Sequence, residues 1–229
     1  MILDAGNSLI GDRGTAVSTQ GKSSVAAMNM LGYDALALGE GDLSKLGLEL
    51  LLQRAQEAKF AILSANAILS ETGELLFPPY IIKEIQGYRI AVIGLTGPIT
   101  TPQVIVRDPL ESVRKIVAEL QDRVEIIVLL SHAGLNVNHK IAVELPQIDL
   151  VISGGGQGTT PAPLLTADGR MTLHADSPSP GHAGRRIGVG NWTFDPQGRA
   201  LEHTWRQVAL GPEIANDPQL LAWAKNKSP

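Results

Sequence analysis

The chain contains no cysteine. That excludes disulfides, thiolate catalysis and cysteine-ligated zinc or iron–sulfur sites, but it leaves the compartment open, because an oxidising environment permits disulfides without demanding them. Basic residues are not in excess: 19 Lys and Arg stand against 23 Asp and Glu, a formal net charge of −4. On that balance neither nucleic acid nor a membrane surface is expected as a partner. Apolar runs are short, and none approaches the roughly 20 residues that a bilayer-spanning helix needs. The N-terminus has neither the basic nor the apolar section of a secretory signal. Internal repeats are missing as well.

What is present is the composition of a folded chain: 229 residues, 44% apolar, enough for one large domain and too short for two beyond a small appendage. The expected division is a domain over residues 1–210 and a proline-punctuated peripheral tail over 211–229, with a short helix near Leu220 to Lys225.

The stretch from Arg123 to Gln157 organises the reading. Glu125 to Leu130 is a short apolar run rich in β-branched residues, suited to a parallel strand covered on both faces, and it closes at Ser131-His132-Ala133-Gly134. Asp149 to Ser153 is a second such run, ending in Gly154-Gly155-Gly156-Gln157-Gly158. His132 and the glycine loop therefore fall just past two strand ends, where open α/β sheets place their sites.

Around that centre the elements alternate. Leu3 to Asn7 reads as the end of a strand entering a glycine turn, so the chain is expected to start mid-sheet. Gly21 to Leu31 is a helix closed by Gly32, Tyr33 to Leu38 a strand stopping at the turn Gly39-Glu40-Gly41-Asp42, Leu46 to Lys59 an amphipathic helix, and Phe60 to Ser64 a strand before Ala65-Asn66. Tyr80 to Ile85 and Tyr88 to Gly94 flank Gln86-Gly87 as a hairpin, and Asp108 and Pro109 cap and open a helix to about Gln121. Later strands are expected over Leu164 to Ala175 and Arg186 to Asp195, with turns at Asp168-Gly169 and Pro196-Gln197-Gly198. This alternation predicts an α/β fold.

The segments Leu3 to Asn7, Leu31 to Gly39, Leu63 to Asn66, Gly87 to Thr96, Leu130 to Gly134 and Ile148 to Gly154, in this order and at this spacing, resemble the metallophosphoesterase domain of the 5′-nucleotidase and 2′,3′-cyclic-nucleotide phosphodiesterase family. The resemblance covers most of the chain and implies a layered αββα sandwich, here lacking its first strand. It also implies a centre of two divalent ions, bridged by an Asp and bound by an Asp-x-His on the first strand, a Gly-Asn-His-Asp/Glu loop, a later His and a Gly-His-x-His loop. Such a centre clamps a phosphate and generates hydroxide near neutral pH only if carboxylates and imidazoles supply the coordination. In this sequence the bridging position is Asn7, the Asn-His pair reads Glu40-Gly41, and the Gly-His-x-His loop reads Gly154-Gly155-Gly156-Gln157. His132 alone stands where a ligand is expected.

A non-catalytic domain with a binding or scaffolding role and no cofactor is therefore the first expectation. The alternative is a nucleotide or phosphoester hydrolase with a reduced metal site, in which Mn, Mg or Zn is held by His132, Glu40 and Asn7, with His132 and Asp42 as catalytic candidates. The resemblance further implies a nucleotide or other phosphate-containing ligand, membership of a larger protein, and a periplasmic or extracellular location. Each residue also has a purely structural reading. His132 suits a hydrogen-bonded imidazole at a strand end, and Glu40 and Asp42 suit solvated or helix-capping roles. Asp4 and Asp34 could support the site loops or simply bond backbone amides. Asn66 could orient a loop or join Gly154, Gly155 and Gln157 as a ligand contact. The glycine run could cradle an anion or be only a turn, since it lacks the Lys-Ser/Thr ending of a phosphate-binding loop. His139, His174, His182 and His203 share no metal-ligand spacing.

Overall fold

The computed structural model describes residues 1–12, 14–99, 101–155, 162–175 and 186–226. The chain enters through the two-residue strand β1 (Leu3–Asp4), makes the helical turn α1 (Thr15–Ser18), and runs through α2 (Lys22–Leu31) into β2 (Ala35–Ala37). Then come α3 (Glu40–Glu57), β3 (Ala61–Leu63), β4 (Ala67–Leu69), β5 (Tyr80–Ile85), β6 (Tyr88–Leu95) and β7 (Val104–Val106). The central section is α4 (Pro109–Leu120), β8 (Ile126–Ser131), α5 (Leu135–Glu144) and β9 (Leu150–Ser153). After β10 (Leu164–Leu165) and β11 (Met171–Leu173), a ribbon of β12 (Arg186–Phe194) and β13 (Ala200–Ala209) leads to α6 (Pro218–Lys225).

Two sheets make the inner layers. One is the parallel set β1-β2-β3; the other runs β10-β11-β9-β8-β6-β5, parallel through β11, β9, β8 and β6, with antiparallel strands at both edges. Period-two alternation sorts the side chains between layers. Ala35 and Ala37 of β2 and Ile126, Val128 and Leu130 of β8 point between the sheets, while Leu36 joins Val25, Met28, Leu43 and Leu51 under α2 and α3. Ile127 and Leu129 instead meet Val113, Val117 and Leu120 of α4 and Ile141 of α5. The apolar runs are unbroken because both faces of each sheet are covered, and each fully buried aliphatic side chain contributes about 1.5–3 kcal/mol. This helix–sheet–sheet–helix stack is the layered α/β sandwich expected. Register puts Leu95 beside Ser131 and Ser131 beside Ser153, so β6, β8 and β9 end level.

Two local expectations are corrected. The supposed turn at Gly39 to Asp42 is the first turn of α3, which begins at Glu40 and is broken at Gly47 (φ 73°), so the apolar pattern from Leu46 marked only its second half. Leu164 to Ala175 is not one strand: Leu164 pairs antiparallel with Thr172 across the Asp168-Gly169 turn. α5 was not anticipated, nor was the small sheet of β4 and β7.

The core assignment makes a quantitative expectation. Leu129 is 0% exposed between β8 and α4, whereas Val143 on α5 is 54% exposed. Urea unfolding of Leu129→Ala should show a loss of about 2–5 kcal/mol and Val143→Ala a change within about 0.5 kcal/mol. Equal losses at the two positions would contradict the layering.

Candidate functional site at the strand ends

The parallel strands of both sheets deliver their carboxyl ends to one edge, and five segments meet there. β1 leads into Asn7, β2 into Gly39 and Glu40, β6 into Gly97, β8 into His132, and β9 into Gly154 and Gly155. The closeness is atomic: a Cβ on Gly6 would lie 2.9 Å from His132 Nδ1, one on Gly41 would lie 2.8 Å from Asn7 Oδ1, and one on Gly97 would lie 3.3 Å from Glu40 Oε2.

Asn7 is the hub. Its backbone is left-handed (φ 63°), a conformation that Asn tolerates better than most residues. Its Oδ1 accepts from the backbone amides of Gly41 at 2.6 Å and Asp42 at 3.3 Å, at the start of α3. The N-cap of α3, Gly39, has no side chain, so Asn7 supplies the capping oxygen from across the sequence. Its Nδ2 donates to Glu40 Oε1 at 3.2 Å. Gly39 has to be glycine, because a Cβ there would fall 2.2 Å from Asn7 Oδ1.

Asp42 is fully buried, and its carboxylate faces inward to the chain itself. Oδ2 accepts from Asn7 N at 2.8 Å and Gly39 N at 3.3 Å, and Oδ1 accepts from Leu9 N at 2.9 Å. Burial pushes its carboxyl up to about 6, against the pull of those amides. Asp4 is similarly committed: its Oδ1 accepts from Gly6 N at 2.9 Å and Ser8 Oγ at 2.8 Å, and burial raises its pKa too.

His132 is buried and held by its own strand end. Its amide donates to the Leu95 carbonyl at 2.8 Å, and Nδ1 lies 2.5 Å from the Ala5 carbonyl. A carbonyl can only accept, so Nδ1 carries the hydrogen. Nε2 then faces Glu40 Oε2 at 3.1 Å, without the alignment of a hydrogen bond, and neither atom has another hydrogen-bond partner among the described residues. Burial works against charge on both, but each outweighs it for the other. The imidazole lowers the Glu40 pKa and the carboxylate raises that of His132.

Gly154 and Gly155 pack on His132 rather than forming an open cradle: Cβ atoms there would lie 2.6 Å from Ala5 O and 2.3 Å from His132 O. Gly156, Gln157 and Gly158 lie outside the described residues, as does His182. Asn66 does not reach this group of side chains. It is fully buried, donates to the Thr96 carbonyl at 2.9 Å and accepts from Thr96 N at 2.9 Å, fastening the exit of β3 to that of β6. Asp34 is at the opposite end of β2, where it accepts from Ile2 N at 2.7 Å and pairs with Lys83, so it supports no site loop.

Sequence reasoning missed a buried polar set behind the edge. Ser131 Oγ donates to Asn138 Oδ1 at 2.6 Å, and Asn138 Nδ2 donates to Ser153 Oγ at 2.8 Å, which locks β8 and β9 together under α5. The signal was the helical spacing of Asn138, Ile141 and Ala142, all buried on one face.

A dinuclear metal centre does not fit these residues. The oxygens of Asn7 and Asp42 face backbone donors, Asp4 Oδ1 does the same, and the buried side-chain atoms of this edge without hydrogen-bond partners among the described residues are Glu40 Oε2 and His132 Nε2. Among the described residues no three His, Cys, Asp or Glu side chains gather as a set able to hold a metal ion.

No protein-family model matches the chain. It is 34% identical over 244 residues to the protein UshA of Salmonella pullorum, covering 85% of this chain and 44% of that protein. It is 35% identical over 152 residues to a 5′-nucleotidase of Vibrio cholerae, covering 57% of this chain and 27% of the relative. Among solved structures, a 5′-nucleotidase precursor from Thermus thermophilus superposes with a TM-score of 0.80 at 28% identity, covering 98% of this chain and 49% of that one. The chain spans half or less of the length of these relatives.

The Glu40–His132 contact makes a pH prediction. A lowered carboxyl contributes stability above its ordinary pKa of 4.5 that is lost as pH falls through the folded value. A raised imidazole contributes below its ordinary 6.5 and loses that as pH rises through the folded value. The stability gap between wild type and Glu40→Gln, measured by urea unfolding from pH 4 to 9, should be widest between those two values. A gap independent of pH would mean that the pair carries no charge.

Proposed function

Because the chain is a metallophosphoesterase domain of the 5′-nucleotidase family, we propose that it works by binding or scaffolding rather than by hydrolysis. The observation that carries this reading is the Asn7 amide. At the position where the family places a carboxylate between two cations, this side chain caps α3 with its oxygen and donates to Glu40 with its nitrogen. An amide adds no charge to hold two ions, and its oxygen already faces two amide donors. The ligand under this reading is a nucleotide or another phosphate-containing molecule, as the names of the relatives suggest, and the domain belongs to a larger, exported protein.

One observation favours a second reading. Glu40 Oε2 and His132 Nε2 are buried, adjacent and without hydrogen-bond partners, the condition of two donors to a single divalent ion. A bound ion would supply Lewis-acid chemistry toward a phosphoester. The chain's own contribution would be to hold the imidazole by the Ala5 carbonyl and to keep the Glu40 carboxylate ionised.

Purified protein assayed with Mn, Mg or Zn against 5′-nucleotides, a cyclic nucleotide and an aryl phosphate should show no turnover that depends on His132. Turnover near about one per second that disappears in His132→Ala would place the chain in the ordinary range of enzymes and favour the second reading.

A further inference from the structure

The ribbon of β12 and β13 stands apart from both layered sheets, as a two-stranded sheet of its own. One of its faces is turned to the domain: Phe194 packs on Tyr88 with ring centroids 6.0 Å apart, and Gln207 Nε2 donates to the His174 carbonyl at 2.7 Å. Trp205 shares that face and leans inward over β12, where a Cβ on Gly188 would lie 1.8 Å from its Cη2. The bulkiest side chain of β13 is therefore drawn away from the outer edge of the strand. Glu202, Thr204 and Arg206 alternate with it onto the other face, and all three are exposed.

Among the described residues no strand other than β12 pairs with β13, so the backbone donors and acceptors along one side of this strand of 10 residues are open. Such an edge is a template for another strand, and charged side chains commonly guard it. Here the charges act the other way, because one acid and one base flank Thr204 at equal spacing. Within the ribbon Glu202 stands opposite Thr193 and Arg206 opposite Val189, so neither has a charged partner across the strand pair.

We propose that β13 pairs with β13 of a second copy of this chain, antiparallel about a two-fold axis at Thr204, joining two ribbons into one four-stranded sheet. A two-fold interface must be self-complementary, and this register is: Glu202 of each copy faces Arg206 of the other, and Thr204 faces Thr204. Moving the axis to Trp205 would set Glu202 against Val208 and Arg206 against Thr204, so charge selects the register. β12 offers no equivalent, since Arg186 is its single charged residue. The register shift between Thr193 and Phe194 leaves Leu201 without a partner in the ribbon and ends the regular stretch of β13 at Glu202. The pairing therefore spans Glu202 to Arg206, a short interface that makes a weak dimer. Self-association of this kind is independent of the strand-end site, none of whose residues lies on the ribbon.

Sedimentation of the chain from micromolar to millimolar concentration should show a reversible monomer–dimer equilibrium. Glu202→Arg and Arg206→Glu each set two like-charged pairs across the axis and should weaken the dimer about tenfold or more. The two variants mixed, or both substitutions in one chain, restore opposite charges at both positions and should recover the wild-type affinity. Because the chain has no cysteine, Thr204→Cys places a single thiol on the axis, at the Cα spacing of about 4.5–5.5 Å between facing antiparallel residues, and mild oxidation should link two chains through it. Thr193→Cys, on β12, should not link. Far-UV circular dichroism and urea midpoints equal to those of the wild type show that each variant is folded. A wild type that stays monomeric over the whole range, charge reversals that leave its affinity unchanged, a mixture no tighter than its components, or equal linking at residues 193 and 204 would overturn the proposal.

Discussion

The candidate site depends on a helix cap supplied from far away in the sequence. α3 begins directly after β2, at Gly39, and nothing in its own first turn can serve its leading amides from the N-cap position. The Asn7 oxygen, at 2.6 Å from Gly41 N, does so, and a cap of this kind is worth about 0.5–2 kcal/mol. The consequences spread from there. β1 must deliver Asn7 beside the end of β2, which the parallel pairing of Leu3 with Ala35 ensures. Gly39 must lack a side chain, Asn7 must take a left-handed backbone, and Asp42 must turn inward to receive the Asn7 and Leu9 amides.

That constraint also explains why an amide suits this position in this neighbourhood. The Asn7 nitrogen faces the Glu40 carboxylate at 3.2 Å, and Asp42 and Asp4 lie close behind. A carboxylate at residue 7 would present oxygen to oxygen and add like charge to a cluster whose two aspartates, Asp4 and Asp42, already have raised pKa values. Only cations could relieve it. Asn7 and Glu40 thus form a set consistent with itself in the absence of a counter-ion, whereas the family pattern is consistent only with ions present. Fold kinship transmits the strand ends and their convergence; it does not transmit the side chains placed there.

The sheets, α2, α4 and the strand-end position of His132 were legible because their signals are local. The unbroken run from Ile126 to Leu130, the Asp108-Pro109 start and the Gln86-Gly87 turn each declare an element by composition within a few residues. The start of α3 was not legible. Its cap is Asn7, and its apolar pattern is interrupted at Gly47, so the local text reads as a turn followed by a shorter helix. α5 was obscured in another way: its buried face includes Asn138, polar in sequence but satisfied by Ser131 and Ser153 from two different strands. At the site, the family resemblance implied that Asn7, Glu40, His132 and Gly155 converge, but not the direction in which each side chain points. Asp42 was a catalytic candidate, and its carboxylate is an internal acceptor for three backbone amides. Asn66 looked like a possible ligand contact and fastens two strand exits.

The polar chemistry of the edge is therefore turned inward. Near β1, β2 and β8, the charges are compensated within the chain: three amide donors for Asp42, an imidazole for Glu40 and a carbonyl for His132. Across the Gly97–Pro98 loop the charges are committed as well, since Arg107 donates to the Gly73 carbonyl at 3.3 Å and Asp108 caps α4 by accepting from Glu111 N at 2.8 Å. Attraction between unit charges at 4 Å is about 1 kcal/mol in water and about 4 kcal/mol in the intermediate dielectric near a protein surface, and a compensated pair offers an outside ion little of it. The same sheet edge can thus keep a family's strand-end convergence while its charges are answered from within the chain.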